Sequence, residues 1–214
     1  HMDRYLRDAI AAKRREPASD LLTELVLAEE EGDRMSEAEL LSMTSLLFVA
    51  GHETTVNLIG NGIHALLRHP EQLELVRTDG SVDETVADEL LRYDSPVQTS
   101  GRRVMHDVEV ADQVIPSGEM VLTALGSANR DPRFWGGTAD ELDVTRGDAN
   151  RHVSFGSGVH HCLGAALARM EGEISITRLV RRFPDLVLAD EPTFNARIIL
   201  RGREVLPVRL GSAA

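Results

Sequence analysis

Residues 155–164 read Phe-Gly-Ser-Gly-Val-His-His-Cys-Leu-Gly and include Cys162, the only cysteine of the chain. They lead into an apolar, alanine-rich segment that we predict to be a helix over 163–183. A thiolate at a helix N-terminus is stabilised by unpaired backbone N–H groups and by the helix dipole. Gly156 and Gly158 let the backbone approach a flat or bulky partner closely. The stretch therefore predicts a sulfur that is presented to a soft metal centre.

Other interpretations of Cys162 stay open on the residues alone. A free cysteine is often a small, buried apolar residue beside a turn. A zinc site would combine the sulfur with His152, His160 or His161, although zinc ligands usually come in close pairs across two turns. A catalytic thiol would need a histidine as its base, and the covalent neighbour His161 is awkwardly placed for that role.

Composition sets the broad class of the protein. The chain has 214 residues, of which 42% are hydrophobic and 27% charged, as in an ordinary globular protein. One cysteine allows no intrachain disulfide, so we expect a reducing, cytoplasmic compartment. No apolar run is long enough to span a bilayer, so we expect no membrane partner. The net charge of −12 argues against a surface that binds nucleic acid.

Helical patterns dominate the first half of the chain. Two capping-box pairs, Ser36 with Glu39 and Ser81 with Glu84, indicate the starts of two helices. Pro70 indicates another start, since proline is favoured at the first helical position. Helices are predicted over 3–15, 20–31 and 37–68, from residue 70, and from about residue 81 to just before Pro96.

Short alternating apolar runs after Pro96 predict strands and turns. Residues 129–154 are rich in Asp, Arg, Gly and Pro and read as a long ordered loop. Residues 186–210 read as two or three short strands. The predicted fold class is mainly α with small antiparallel β-sheets, in a single unit over 1–214.

Three further patterns carry chemistry, each with a plainer alternative. The segment 50–55, Ala-Gly-His-Glu-Thr-Thr, places an acid and hydroxyls inside an apolar helix; it opens room for a ligand or is simply a packed helix. Glu89 and Arg92 share a helix face, as a solvated surface pair or a partly buried one. The third pattern is a scatter of individually ordinary arginines and histidines, of which arginine suits the bidentate capture of a carboxylate: Arg102, Arg146, His152 and His160.

Taken together and in this order, these residues resemble the cytochrome P450 family, in particular its soluble bacterial branch. Residues 155–164 match the haem signature Phe-Gly-x-Gly-x-His-x-Cys-x-Gly at every fixed position. Residues 50–54 match the oxygen-activating segment Ala-Gly-x-Glu-Thr, and residues 89–92 match the Glu-x-x-Arg pair. Arg146 falls at the position of a second structural arginine, although an aromatic residue is usual at Leu142.

The resemblance implies a haem b cofactor, iron protoporphyrin IX, with Cys162 as the proximal ligand of the iron. Further residues of the haem loop are implied to be Phe155, Gly156, Gly158, His160 and Gly164. The haem propionates are implied to be bound by Arg102, His152 and His160. A structural lock behind the haem is implied for Glu89, Arg92 and Arg146.

The resemblance also implies a catalytic segment on the long helix. Thr54 and Glu53 would guide protons to dioxygen, while Ala50 and Gly51 leave space for it. The reaction is monooxygenation: one atom of O2 enters a small organic substrate and the other leaves as water. Electrons would come from a ferredoxin and its reductase, and three arginines are candidates for docking the donor: Arg178, Arg181 and Arg182.

Family members are much longer than this chain. The resemblance therefore implies the C-terminal part of the fold, with the N-terminal portion absent. We expect a truncated oxygenase core that self-associates through apolar surface left uncovered. The alternative is a non-catalytic, haem-free or self-associating relative that acts as a structural or interaction module.

Overall fold

The structure is a computed structural model that describes residues 1–30 and 33–213. Helices account for most of it, which agrees with the predicted fold class. Across the described residues, no helix combines the length and apolarity needed to cross a membrane. The α-helices are α1 (Met2–Arg15), α2 (Leu21–Leu27), α3 (Glu37–Arg68), α4 (Pro70–Thr78), α5 (Asp83–Tyr93), α6 (Leu125–Ala128), α7 (Pro132–Trp135) and α8 (Ala165–Arg182).

The strands form small antiparallel ladders of two strands each, as predicted. Ala111 and Asp112 have φ of 49° and 63° and form the tight turn between the fourth and fifth strands. The strands are β1 (Glu29–Glu30), β2 (Asp33–Arg34), β3 (Thr99–Arg103), β4 (Val108–Val110), β5 (Gln113–Ile115), β6 (Met120–Ala124), β7 (Val187–Leu188), β8 (Thr193–Phe194), β9 (Arg203–Val205) and β10 (Val208–Arg209). The ladders pair β1 with β2, β3 with β6, β4 with β5, β7 with β10 and β8 with β9.

One predicted capping box is confirmed and the other is wrong. The Ser36 N–H donates to Glu39 Oε2 at 2.8 Å, and the Glu39 N–H donates to Ser36 Oγ at 3.3 Å. These bonds satisfy N–H groups at the start of α3, which runs over the predicted 37–68. Ser81 instead donates its N–H to Asp79 Oδ1 at 2.8 Å, and α5 begins after a 3₁₀ turn at Gly80–Val82.

The second helix ends earlier than predicted. It stops at Leu27, and the chain then turns into β1, so the predicted helix over 20–31 is too long. Residue 31, its predicted last residue, lies outside the described residues. The predicted loop over 129–154 carries α7 and two 3₁₀ turns, Gly136–Thr138 and Ala149–Arg151.

The chain divides into two compact units, His1–Glu53 and the part that begins at Thr54. The first unit has a small core of buried side chains: Leu6, Ile10, Leu40 and Leu41. The core of the second unit joins the end of α3 to α4, α5 and α8. Among its most buried members are Leu58, Leu66, Val76, Val86, Leu90, Ile176 and Val180.

Close helix contacts in the second unit occur at two glycines. A Cβ on Gly62 of α3 would lie 2.9 Å from Cδ1 of both Ile176 and Leu90. A Cβ on Gly172 of α8 would lie 2.8 Å from Leu58 Cδ2. Because these glycines let three helices approach closely, α8 is held against α3 and α5. The loop that precedes α8 contains Cys162.

Candidate functional site

The loop before α8 is folded around its cysteine. Gly156 and Gly158 have φ of 69° and 73°, a left-handed conformation that favours glycine. The Cys162 N–H donates to the Phe155 carbonyl at 2.9 Å, which closes the loop upon itself. Cys162 is exposed and stands two residues before Gly164, the N-cap of α8. The sequence signature therefore presents its sulfur at the surface of the second unit.

Apolar side chains surround this sulfur in the sequence and are also exposed. Val159 is 98% exposed and Leu163 is 88% exposed. A Cβ on Gly158 or Gly164 would meet no other atom within 4 Å. An accessible thiol with open, apolar neighbours suits a large flat apolar group. A haem fits this donor set, because its iron already has ring nitrogens and needs only an axial ligand from the chain.

The zinc alternative predicts a cluster of ligands around Cys162. Over residues 1–30 and 33–213, no group of three or more His, Cys, Asp or Glu side chains is arranged to hold a metal ion. His161 Nδ1 lies 3.4 Å from the Gly156 carbonyl, within the loop itself.

The predicted oxygen-activating segment lies within α3. The helix is unbroken through residues 50–54, so the threonines do not open it. Ala50 and Gly51 are exposed, and Glu53 and Thr54 are half-buried. A Cβ on Gly51 would meet nothing within 4 Å. The boundary between the two compact units falls between Glu53 and Thr54.

Glu89 and Arg92 form a buried ion pair, with both side chains 0% exposed. Arg92 Nε and Nη2 donate to the two carboxylate oxygens of Glu89 at 2.7 and 2.8 Å. The remaining N–H groups of Arg92 donate to the carbonyls of Asn129, Ala139 and Glu141 at 2.7–2.9 Å. The pair thus ties α5 to the segment between α6 and α8.

Arg146 joins the same carboxylate. Its Nε lies 3.2 Å from Glu89 Oε2, as an ion pair whose angle does not make a hydrogen bond. Its Nη2 donates to the Thr138 carbonyl at 3.0 Å. The Asp143 N–H also donates to Glu89 Oε1 at 2.8 Å. The structure therefore brings Glu89, Arg92 and Arg146 together in one network.

The candidate propionate ligands occupy different environments. Arg102 on β3 is exposed, and its Nη1 donates to Ser100 Oγ at 2.7 Å. His160 is exposed at the end of the 3₁₀ turn Gly158–His160. The side chain of His152 is fully buried. Its Nδ1 accepts the Ser154 N–H at 3.0 Å and its Nε2 lies 3.0 Å from Asp88 Oδ1. Both ring nitrogens of His152 are thus engaged inside the protein.

Two residues near the cysteine loop were not singled out by the sequence. Asp88 Oδ1 receives Arg169 Nε at 2.6 Å as well as the His152 ring. The Arg169 guanidinium carbon lies 4.7 Å from the ring centroid of Phe155. Burial would raise the pKa of Asp88, but the hydrogen bonds from His152 and Arg169 outweigh it, and the pKa is lowered. The only sequence signal for Arg169 is its spacing, about two helical turns after Cys162.

The three arginines considered for docking an electron donor do not form one surface group. Arg178 and Arg182 are exposed on α8. Arg181 Nη1 donates to Asp83 Oδ2 at 2.9 Å, and its Nε donates to the Val76 carbonyl at 3.0 Å. The hydrogen bond to Asp83 raises the pKa of Arg181 against the effect of burial. Arg181 therefore serves the packing of α8 against α4 and α5.

Comparisons with known proteins agree on one family. The sequence model of the family described as Cytochrome P450 matches residues 1–199. A protein of Saccharopolyspora erythraea named Cytochrome P450 107B1 is 50% identical over 216 residues, which cover 99% of this chain and 53% of that protein. The Vitamin D(3) 25-hydroxylase of Pseudonocardia autotrophica is 47% identical, over 97% of this chain and 52% of the relative.

A solved structure shares the fold of this chain. The cytochrome P450 PksS of the Bacillus subtilis bacillaene polyketide synthase superposes with a TM-score of 0.92 at 44% identity. The match covers 98% of this chain and 55% of that structure. The chain spans about half the length of the curated relatives it matches.

Proposed function

The chain belongs to the cytochrome P450 family, and from this premise we propose that it is the haem-thiolate core of a monooxygenase. The observation that carries the proposal is the exposed Cys162, bonded through its N–H to Phe155 within a loop bent at two glycines. Named relatives of the chain include a hydroxylase. The proposed reaction inserts one atom of O2 into an organic substrate and releases the other as water.

In this proposal Cys162 binds the iron of haem b through its sulfur. When bound, the haem supplies the activation of dioxygen, which a thiolate ligand favours by donating electron density. The Cys162 N–H donates to the Phe155 carbonyl, which restrains the backbone that carries the cysteine side chain. Val159 and Leu163, both exposed and close to Cys162 in the sequence, would provide apolar contact for the bound group.

The α3 segment supplies the proton path in this proposal. Thr54 Oγ1 holds and passes a proton, and Glu53 replenishes it from solvent, because a carboxylate can bind and release a proton that a hydroxyl can only relay. Ala50 has a small side chain and Gly51 has none, so both leave space for dioxygen and a water in this proposal. The open position of a Cβ at Gly51 supports this role.

Arg102 and His160 bind the propionates in this proposal, because both side chains are exposed and offer N–H groups that suit carboxylates. His152 is omitted from this set, since its ring is already hydrogen-bonded on both sides. Glu89, Arg92 and Arg146 stay structural: they tie the haem-bearing segment to α5.

Electrons come from a separate donor of the ferredoxin type with its reductase, as is usual for soluble bacterial members of this family. The relatives differ in what their names connect them with, vitamin D(3) in one case and a polyketide synthase in another. A small organic substrate is therefore proposed without a narrower class.

The experiment is the spectrum of the reduced, carbon monoxide-treated protein, with haem content measured on the same sample. We expect about one haem per chain and the red-shifted band that marks a thiolate ligand. Cys162→Ala should abolish that band. Ser157→Ala is the matched control in the same loop, because the Ser157 side chain makes no cap hydrogen bond, and it should keep the band.

Survival of the red-shifted band in Cys162→Ala would overturn the assignment of the ligand. A haem content near zero in the unaltered chain would instead favour a haem-free structural or interaction module. The two outcomes are separate, because one concerns which atom binds iron and the other concerns whether haem is bound.

A further inference from the structure

Arg169 lies at a junction between α5, α8 and the cysteine loop. Its Nε donates to Asp88 Oδ1 at 2.6 Å, and its guanidinium carbon lies 4.7 Å from the centre of the Phe155 ring. Arg169 is on the same helix face as the segment that follows Cys162, about two turns farther along α8. One side chain thus contacts an acid on α5 and the aromatic ring of the loop that holds the sulfur.

Asp88 is itself held in place and in charge. The Ser154 N–H donates to His152 Nδ1 at 3.0 Å, so the proton of a neutral His152 ring sits on Nε2. That Nε2–H donates to Asp88 Oδ1 at 3.0 Å. The lowered pKa of Asp88 agrees with a carboxylate at neutral pH. Arg169 therefore meets an ionised acid that is fixed by a buried histidine.

The ring under Arg169 belongs to the residue from which the cysteine hangs. The Phe155 carbonyl accepts the Cys162 N–H at 2.9 Å. The Phe155 ring also has the rings of His152 and His161 beside it, with centroids 5.4 and 6.4 Å away. A cation over an aromatic face is attracted by the ring quadrupole. Holding the ring restrains the carbonyl, and the carbonyl restrains Cys162.

We propose that Arg169, anchored by Asp88, is a positioning residue that holds Phe155 over the Cys162 loop and sets the reduction potential of the haem. The inference rests on the proposed function for its electrochemical part only. Its conformational part concerns the hydrogen bond from Cys162 to Phe155, which exists in the protein without haem.

The alternative is that Arg169 and Asp88 merely tie α8 to α5. A tie of that kind would change stability when either residue is replaced. It would not give opposite electrochemical effects for the two replacements. Charge beside the cysteine loop would give such effects, because added negative charge favours ferric over ferrous iron and added positive charge does the reverse.

The first measurement is amide hydrogen exchange at Cys162 in the haem-free chain. Arg169→Ala should speed exchange of this amide by roughly tenfold, because the loop opens more often once its ring is released. Arg169→Lys should restore part of the protection, since it keeps the cation. Arg178→Ala is the matched control: it is an exposed arginine on the same helix, and exchange at Cys162 should stay unchanged.

The second measurement is the reduction potential of the haem-loaded protein. Arg169→Gln leaves the Asp88 charge uncompensated and should lower the potential. Asp88→Asn leaves the Arg169 charge uncompensated and should raise it. The double variant should lie between the two, and Arg178→Gln, which makes the same charge change farther along α8, should leave the potential unshifted.

Unchanged exchange at Cys162 in Arg169→Ala, or shifts of the same sign for Arg169→Gln and Asp88→Asn, would overturn this inference while leaving the haem proposal intact. Failure of the unaltered chain to take up haem would overturn the proposed function and the electrochemical part. The exchange measurement would then decide the positioning role by itself.

Discussion

The guanidinium of Arg92 has an acceptor for each of its five N–H groups. Two go to the Glu89 carboxylate and three to backbone carbonyls of the segment between α6 and α8. Arginine has five donors and no acceptor, so this is its full hydrogen-bonding capacity. A buried charge is tolerable only with such complete pairing. The pair is fully buried, beyond either sequence interpretation, which allowed a solvated surface pair or a partly buried one.

Arg92→Met should therefore lower the free energy of unfolding by about 3–5 kcal/mol, because it leaves a buried carboxylate and three carbonyls without these donors. Urea unfolding followed by circular dichroism measures it. Asp148→Asn is the control with the same i,i+3 spacing, since Asp148 and Arg151 form an exposed pair at 3.6 Å. That change should be under about 1 kcal/mol. Equal losses in both variants would contradict the role of burial.

His64 gives the stability of the chain a pH dependence. Burial lowers the pKa of His64 below its ordinary 6.5, and the nearby Arg203 and Arg68 lower it further. Asp94 and Glu191 oppose this shift without reversing it. Arg203 Nη2 lies 2.6 Å from His64 Nδ1. Since a guanidinium can only donate, this contact requires an unprotonated His64 Nδ1.

We expect stability to fall as the pH drops through about 6.5, because below that value the unfolded chain binds a proton that folded His64 does not. The contribution is fully present above the unfolded pKa and is lost towards the folded one. Urea midpoints between about pH 8 and about pH 5 measure it. His64→Gln should flatten this slope, whereas His106→Gln, at an exposed site, should not. An unchanged slope in His64→Gln would assign it to other groups.

Among the helices, α3 shows how local signals and packing divide the work of specifying structure. Its start and end follow from the Ser36–Glu39 capping box and from Pro70, both visible in the sequence. Its interior glycines have different roles that the sequence does not separate. A Cβ on Gly60 would meet nothing within 4 Å, whereas one on Gly62 would meet two buried side chains.

Gly62→Ala should lower the free energy of unfolding by about 1–3 kcal/mol, because the methyl groups of Ile176 and Leu90, which are almost fully buried, would have to shift within the core. Gly60→Ala, two residues away on the same helix, should raise it by up to about 1 kcal/mol through helix propensity. Thermal unfolding of the two variants provides the comparison. Changes of the same sign would show that propensity, and not packing, controls this helix.

Across the whole chain, the sequence predicted what local signals determine. The fold class, the bounds of α3 and the residues of the cysteine loop all depend on patterns within a few residues. The second capping box was wrong because Asp79, two residues earlier, bonds the Ser81 N–H instead. The partners of Asp88 were not predictable, because His152 and Arg169 lie 64 and 81 residues away in the chain. Such pairs appear only once the helices pack.

Apolar side chains also remain on the surface of the second unit. Met120 and Leu122 alternate along β6 and so share one face of the ladder with β3. They are 65% and 67% exposed. Gly101 lies opposite Leu122 in that ladder and has no side chain to cover it. Neighbouring exposed apolar residues of this kind favour association.

We therefore expect the 214-residue chain to associate reversibly, with a sedimentation coefficient that increases with protein concentration. Each large apolar side chain that becomes fully buried contributes about 1.5–3 kcal/mol, so Met120→Gln combined with Leu122→Gln should weaken association measurably. Glu119→Gln is the control, because it alters an adjacent exposed side chain without removing apolar surface. If the double variant sediments like the unaltered chain at every concentration, the contact lies on another face; if neither associates, the exposed face of β6 is too small to drive it.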